Sequence, residues 1–272
     1  MNIKTIISAA FAGSMTLLAA GPAISQAVPD NLLNAELRKG WRMSDGDQMA
    51  ALRLTLAPGW KTYWRAPGEG GIPPSFNWTG SRNIAGVSFH WPKPQVYDVN
   101  GVRVIGYRDE LVLPIEFTPV DPTQPVSVSA AIDLGVCDEI CVPMSITVSA
   151  ELDSTAKPDP MIEAALTARP EDAAKAGLSA ARCSAEPIRD GLRMTANMTI
   201  PQVGPDEFAV VELADTSVWI SPADTRRSGG DLTATADMVP PNAQPFALDR
   251  SSIRITIFGG SGRVVDLQGC TG

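Results

Sequence analysis

The sequence predicts a mainly β protein: a β-sandwich followed by a short helical segment and a second, smaller β-domain. Short stretches that alternate apolar and polar residues recur along the chain, and each is bounded by Pro, Gly, Asp or Asn. The 272 residues also include 23 Gly and 23 Pro, which suits many short strands joined by turns. Half-buried antiparallel strands connected in this way are typical of a sandwich.

Ten stretches carry the strand pattern, five on each side of an alanine-rich segment. The N-terminal five are residues 49–56, 86–91, 111–117, 126–132 and 145–148. The C-terminal five are residues 191–200, 207–213, 232–238, 252–258 and 262–267. In the alanine-rich segment, residues 159–181, Asp159 is a candidate N-cap and Pro160 suits the first helical position. Because Pro170 must interrupt a helix, we expect two short helices there.

The N-terminal segment, residues 1–27, predicts an export signal. Lys4 supplies a basic start, residues 6–20 are mostly apolar, and Ser25-Gln26-Ala27 fits the small-x-small cleavage pattern. A membrane anchor is the alternative, but about 15 apolar residues are fewer than the roughly 20 needed to cross a bilayer. We expect cleavage near Ala27, a bacterial periplasmic location and no stable membrane insertion. The domains predicted after the signal are residues 28–152, a linker with short helices at 153–182, and residues 183–272.

Charge and histidine content exclude several functions. The formal net charge is −8 with no Lys/Arg cluster, which argues against nucleic acid or anionic lipid as a partner. The single histidine, His90, lies in a strand-like run and is interpreted as a partly exposed strand residue. One histidine excludes a His-rich metal site, and we expect no metal and no cofactor.

The four cysteines, Cys137, Cys141, Cys183 and Cys270, allow three pairings. Adjacency favours pairing Cys137 with Cys141 and Cys183 with Cys270. In the chain-entropy treatment, closing a loop of about 88 residues stabilises by roughly 4–5 kcal/mol, whereas a five-residue loop contributes only about 2 kcal/mol. The second pair therefore has a strong structural rationale and the first a weak one.

The Cys137/Cys141 pair is either a redox centre or a hairpin staple. Residues four apart in a straight strand are about 13 Å apart, but disulfide Cα atoms lie within about 7 Å, so the chain must reverse between them. A disulfide across so tight a turn is expected to be reducible, as exchange-active disulfides are. Asp138 and Glu139 disfavour a thiolate, and no Lys, Arg or His lies within the motif. Zinc binding by all four cysteines is a weaker alternative, given their spacing and compartment.

Three other features are candidates for supporting roles. Tyr107 and Arg108, in Tyr107-Arg108-Asp109-Glu110, are expected to hold the active edge through an Arg108–carboxylate pair. Asp133 is either a proton acceptor for the thiols or a turn or strand-end residue. The aromatic run of residues 60–64 either packs under the Gly-rich loop that follows or forms a docking surface near the cysteines.

Three ordered motifs, residues 59–68, 106–114 and 133–143, carry a family resemblance. The chain resembles the N-terminal periplasmic domain of the thiol:disulfide interchange protein DsbD, and more closely the related ScsB-type proteins (suppressor of copper sensitivity). The likeness covers roughly residues 45–150. It implies an immunoglobulin-like sandwich with the cysteine pair on one edge, and an electron-shuttle function.

The resemblance also implies site roles and partners. Cys141 would form the mixed disulfide, Cys137 would resolve it, and Tyr97 or Val99, in the loop of residues 96–101, would cap the sulfurs. A membrane thiol reductase of the DsbD or CcdA type would donate electrons, and thioredoxin-like or other disulfide-containing periplasmic proteins would accept them. The chain departs from DsbD in having three residues between the cysteines instead of five. It also lacks the family's membrane and thioredoxin-like domains, which implies a separately encoded reductase.

Two other functions remain open beside a redox carrier. A binding or assembly module would use its disulfides only as staples, and replacing Cys137 and Cys141 with serine would then leave its activity intact. A copper-handling protein is suggested by the ScsB resemblance. The nine Met residues are scattered, however, so direct copper binding has little support from the sequence.

Overall fold

The computed structural model describes residues 31–152, 157–244 and 246–272, so the predicted export signal lies outside the described residues. The N-terminal strands are β1 (Leu33–Arg42), β2 (Gln48–Leu56), β3 (Lys61–Gly68), β4 (Ser75–Asn77), β5 (Gly86–Phe89), β6 (Gln95–Val99), β7 (Val102–Arg108), β8 (Glu110–Thr118), β9 (Val126–Cys137) and β10 (Cys141–Leu152). The C-terminal elements are α1 (Pro160–Thr167), β11 (Glu171–Asp172), β12 (Ala180–Ile188), β13 (Gly191–Thr199), β14 (Phe208–Glu212), β15 (Trp219–Ile220), β16 (Asp224–Ser228), β17 (Asp231–Val239), β18 (Arg254–Phe258) and β19 (Val264–Gln268). Two 3-10 turns span Pro241–Ala243 and Arg250–Ser252.

Strands β1–β10 form an antiparallel β-sandwich, which we call the N-terminal sandwich. One sheet has the order β1-β2-β8-β5, and the other has the order β10-β9-β3-β7-β6, with β4 added to β9. The inward side chains of both sheets share one core, which includes Leu52, Trp64, Leu113, Phe117 and Ile132. The prediction of a β-sandwich is confirmed, and each of the five N-terminal strand stretches overlaps an observed strand.

The longest hairpin of this sandwich, β9–β10, positions the two cysteines. Its twelve residue pairs run without a register shift from Leu152 opposite Val126 to Cys141 opposite Cys137. On β9 the inward residues are apolar and buried, including Val128, Ile132 and Leu134, so the core fixes the register. A slip of one residue would turn that whole face to solvent.

The helical segment is predicted correctly at its start and wrongly at its end. Helix α1 begins at Pro160, and the Asp159 carboxylate accepts a hydrogen bond from Met161 N–H, as an N-cap does. The second predicted helix is wrong. Residues 171–172 instead pair with β19, and the alanine-rich stretch after them makes a turn that buries its apolar side against the C-terminal core. Within the described residues, no helix has the length and apolarity to cross a membrane.

Strands β11–β19 form two further sheets around their own core, which we call the C-terminal sandwich. Their orders are β11-β19-β18-β14 and β12-β13-β17-β15, with β16 also pairing β17. A Cys183–Cys270 disulfide joins β12 to the residues after β19. Residues 31–272 are one compact unit, and Phe258 and Val264 of this sandwich belong to the core of the N-terminal sandwich. The mainly β structure on both sides of the helical segment is confirmed, while its division into domains at residues 152 and 183 stays a prediction.

Candidate functional site

The cysteine hairpin lies at one end of the six-stranded sheet. Strand β9 ends at Cys137 and β10 begins at Cys141, with their Cα atoms 4.1 Å apart and a disulfide between them. The chain reverses over three residues, and Asp138 N–H donates a 3.0 Å hydrogen bond to the Ile140 carbonyl. The reversal that the spacing requires is therefore present.

The two cysteines differ in their exposure to solvent. Cys137 is only 2% exposed and packs in a small apolar cluster with Tyr63 of β3 and Val104 of β7. Cys141 is exposed, at the start of the edge strand β10. We call the Cys137, Tyr63 and Val104 group, with the partly buried Tyr97 against it, the cysteine cluster. An approaching protein can reach Cys141 while the cluster shields Cys137.

Tyr63 contacts the sulfur of Cys141 directly. Its hydroxyl lies 3.2 Å from Cys141 Sγ, and 3.4 Å from the carbonyl oxygen of Gly70. Burial raises the pKa of Tyr63 above its ordinary value. The phenol therefore stays protonated, and its O–H can donate a hydrogen bond to the sulfur. The ring lies against Gly135 of β9, where an added Cβ would be 3.0 Å from a ring carbon. Glycine at this position allows the ring to approach the hairpin.

Lys61 is a cation that the sequence reasoning missed. It lies opposite Cys137 in the β3–β9 pairing, and it is only 6% exposed. Its Nζ is 3.7 Å from Asp138 Oδ1 and 5.9 Å from the Tyr97 ring centroid. The motif between the cysteines contains no basic residue, but the neighbouring strand supplies one. One indirect signal was present, since Lys61 falls within the motif of residues 59–68.

Of the two candidate caps, Tyr97 is the one at the cysteine cluster. It lies on β6 and packs against the cluster, with the Arg108 guanidinium 5.2 Å from its ring centroid. Burial raises the pKa of Tyr97, and the nearby Arg108 opposes that shift. Val99, two residues further along, is exposed and outside the cluster.

The two carboxylates that follow Arg108 in the chain bond elsewhere, so the expected Arg108–carboxylate pair stays a prediction. Asp109 Oδ1 accepts a hydrogen bond from the Gly59 N–H, and Glu110 pairs with Arg53. The backbone of Asp109 takes a positive φ of 64°, a conformation that Asp adopts more often than most residues.

Two further predicted residues lie apart from the sulfurs. Tyr107 is buried in the sandwich core, stacks on Trp91 and donates a 2.7 Å hydrogen bond to the Pro92 carbonyl. Its burial raises its pKa well above the ordinary value. Asp133 accepts a hydrogen bond from the hydroxyl of Ser145 on the opposite strand. It lies four residues before Cys137, about 13 Å along β9. The structure therefore brings neither side chain to the disulfide.

His90 has neighbours that account for it structurally. It follows β5, is partly exposed, and its Nε2 lies 2.8 Å from Glu116 Oε2. Arg169 lies 3.2 Å from its other ring nitrogen. Across the described ranges, no group of three or more His, Cys, Asp or Glu side chains is arranged to hold a metal ion.

The fold and site together define a class: an immunoglobulin-like sandwich that carries a cysteine hairpin at one end of a sheet. Residues 30–152 match the family described as thiol:disulfide interchange protein DsbD, N-terminal. The resemblance that the sequence motifs predict is confirmed over those residues.

Solved structures extend the likeness beyond the matched residues. The N-terminal periplasmic domain of ScsB from Proteus mirabilis is 26% identical, with a TM-score of 0.59, over 90% of this chain and 97% of that chain. The predicted fold class is thereby confirmed, including the second β-domain. A marsupial T cell receptor also matches, at 8% identity over 91% of this chain and 100% of that chain, but its TM-score of 0.17 adds nothing on the fold. The comparison with curated proteins finds no match.

Proposed function

We propose that this protein is a periplasmic thiol:disulfide interchange protein that carries electrons on the Cys137/Cys141 pair. It takes them from a membrane thiol reductase of the DsbD or CcdA type and passes them to exported proteins that contain disulfides. The observation that carries the proposal is the asymmetry of the pair: Cys141 is exposed and its sulfur is contacted by the Tyr63 hydroxyl, whereas Cys137 is buried in the cysteine cluster. The match of residues 30–152 to the model of the DsbD N-terminal family supports it.

The exchange proceeds in two displacements. In the reduced protein, the Cys141 thiolate attacks one sulfur of a partner disulfide, forms a mixed disulfide and releases the partner's other sulfur as a thiolate. The Cys137 thiolate then attacks Cys141 Sγ, forms the intramolecular disulfide and releases the partner's second thiolate. The partner gains two electrons, and its two thiolates take up two protons. The membrane reductase reverses these steps to reload the pair.

The surroundings of the pair favour this division of roles. The protonated Tyr63 phenol can donate a hydrogen bond to a Cys141 thiolate, and bonding to the charged form favours that form. The Lys61 ammonium offsets the negative charge of Asp138 beside the sulfurs. The pair therefore has a nearby cation and a hydrogen-bond donor, although its own loop supplies only carboxylates.

The surface around the site suits a protein partner. Among the described residues, exposed large apolar side chains concentrate near the cysteine cluster: Ile140 in the hairpin loop, Ile72 beside Gly135, and Val96 and Val99 flanking Tyr97. Clustered exposed apolar residues mark interaction sites. We assign Tyr97 the role of a cap that docking displaces. Exported proteins of cytochrome c maturation and copper-sensitive thiol proteins are candidate clients.

The first test equilibrates the oxidised protein, residues 28–272, with graded ratios of reduced to oxidised glutathione. We expect Cys137 and Cys141 to become alkylatable together at a potential above about −300 mV, while Cys183 and Cys270 stay protected. Mass spectrometry of the alkylated peptides measures each pair. If all four cysteines resist reduction until the protein unfolds, the pair is a staple and the binding-module alternative replaces the carrier.

A Lys61→Met variant is expected to slow alkylation of the reduced pair at neutral pH by about three- to tenfold. An opposite charge within about 4–6 Å favours a thiolate, and its loss leaves the Asp138 carboxylate unopposed. Methionine keeps most of the buried apolar stem, so the fold should persist. Iodoacetamide rates across a pH series measure the effect, and Lys39→Met on the other sheet is the control. Identical rate profiles for Lys61→Met and the unsubstituted protein would refute the role.

A further inference from the structure

The C-terminal sandwich contacts β3, the strand that carries Tyr63 to the cysteine cluster. Trp64 is fully buried, and its ring meets the Phe258 ring of β18 edge to face, with centroids 5.7 Å apart. Arg65 makes a bidentate ion pair with Glu212 of β14, at 2.9 Å from Nε to Oε1 and 3.0 Å from the guanidinium to Oε2. Two consecutive residues after Tyr63 are thus held by the other sandwich.

A second strand repeats the arrangement. On β7, Val104 belongs to the cysteine cluster, and the preceding residue, Arg103, places its guanidinium 3.8 Å from the ring centroid of Phe208. Neighbouring residues on a strand point to opposite faces. On both strands, therefore, one residue reaches the cluster while its immediate neighbour is held by the C-terminal sandwich. If the contact of either strand with the C-terminal sandwich were displaced, the backbone that also carries the cluster residue would move with it.

The Arg65–Glu212 pair lies in a shielded, charge-dense position. The two side chains are 15% and 18% exposed, and Asp266 of β19 lies 3.8 Å from the Arg65 guanidinium. Burial lowers the pKa of Arg65 and raises that of Glu212, so each charge depends on its partner. Removing one member of such a pair leaves the other buried without compensation. The surrounding strands must then shift to readmit water.

We propose that the C-terminal sandwich is a positioning element for the redox centre, which acts through Arg65–Glu212 to hold Tyr63 against Cys141. The 3.2 Å contact between the Tyr63 hydroxyl and Cys141 Sγ is the structural link that this pairing maintains. The inference rests on the proposed function, and it gives the C-terminal sandwich a role in tuning the cysteine pair from a distance.

The test measures the equilibrium constant of the Cys137/Cys141 pair with glutathione in folded Arg65→Ala and Glu212→Ala variants. We expect each to change that constant by about two- to tenfold, in the lower range of couplings between contacting residues. The double variant should change it no further than either single variant. The milder Arg65→Lys and Glu212→Gln variants should shift it in the same direction and serve if the alanine variants do not fold. The matched control is Arg193→Ala, which removes another bidentate pair of the C-terminal sandwich, with Asp237.

A Tyr63→Phe background makes the test specific. If the coupling runs through the Tyr63 hydroxyl, Arg65→Lys should change the equilibrium constant with glutathione less in the Tyr63→Phe protein than in the protein with Tyr63. We expect less than half of the change. The inference is overturned if the unsubstituted protein exchanges with glutathione and the folded Arg65 and Glu212 variants show the same equilibrium constant, even when their resistance to urea falls. Failure of the proposed function gives a different result, because the unsubstituted pair would then not equilibrate with glutathione at all.

Discussion

A Cys137→Ser variant is expected to accumulate a mixed disulfide on Cys141, because the thiol that would resolve that bond is gone. Cys141→Ser is expected to form no such adduct and to lose exchange activity to the uncatalysed background. The reason is access: Cys137 is 2% exposed and packs against Tyr63, whereas Cys141 is exposed. A thiolate must reach the partner disulfide before it can attack it.

The measurement uses reduced variants incubated with oxidised glutathione, quenched with acid and analysed by mass spectrometry. Cys137→Ser should carry one glutathione on Cys141, and Cys141→Ser should carry little or none. Cys137→Ala is a second variant that avoids a buried hydroxyl in the cluster. Stable glutathione adducts on Cys137 in the Cys141→Ser protein would reverse the assignment of attacking and resolving sulfurs. Equal inertness of both variants would favour the binding module.

Strands with one buried face could be predicted from the sequence, but β3 could not. Its first four residues, Lys61–Trp64, are all buried, since β3 lies between β9 and β7 and also meets the C-terminal sandwich. A strand covered on both faces loses the alternation of apolar and polar residues. The aromatic run of residues 60–64 was therefore interpretable only as packing or docking, and Tyr63 in fact contacts the disulfide sulfur.

The helical segment shows the limit of local signals. The Asp159 cap and Pro160 fix the start of α1 through bonds made within four residues, so the sequence contains the relevant information. Further on, Ala173 and Ala176 are buried in the C-terminal core, beside a two-residue strand parallel to β19. Alanine has the highest helix propensity, but propensity is a weak preference that tertiary packing overrides here.

At the candidate site, the cysteine pair could be predicted from the sequence, but the neighbouring Lys61 could not. The four-residue spacing of Cys137 and Cys141 dictates a reversal, and adjacency favours the pairing that the structure contains. Lys61 lies 76 positions before Cys137 in the chain and becomes its neighbour only through the β3–β9 register. That register is set by core packing along the whole sheet, which no local pattern specifies.

Breaking the Cys183–Cys270 disulfide with paired alanine substitutions is expected to lower the free energy of unfolding by about 4–5 kcal/mol. The bond closes a loop with a sequence separation of 87 residues, whereas that of Cys137–Cys141 is 4. Removing the Cys137–Cys141 disulfide, which closes the shorter loop, should lower the free energy of unfolding by only about 2 kcal/mol in the same treatment. Each pair has one buried cysteine, Cys137 at 2% and Cys183 at 1% exposure, so the cost of the small cavities nearly cancels in the comparison.

Urea unfolding of the two paired-alanine variants measures the difference, which should be about 2–3 kcal/mol in favour of the longer loop. Exchange with glutathione, measured on the same samples, should rank the two variants the other way round. The Cys183/Cys270 variant should still exchange under conditions in which it is folded, whereas the Cys137/Cys141 variant should not exchange. Equal destabilisation by both substitutions would mean that the short hairpin bond is also a structural staple. The opposite orders are expected because a bond that closes a long loop restricts the unfolded chain most, while a redox bond must open without unfolding the protein.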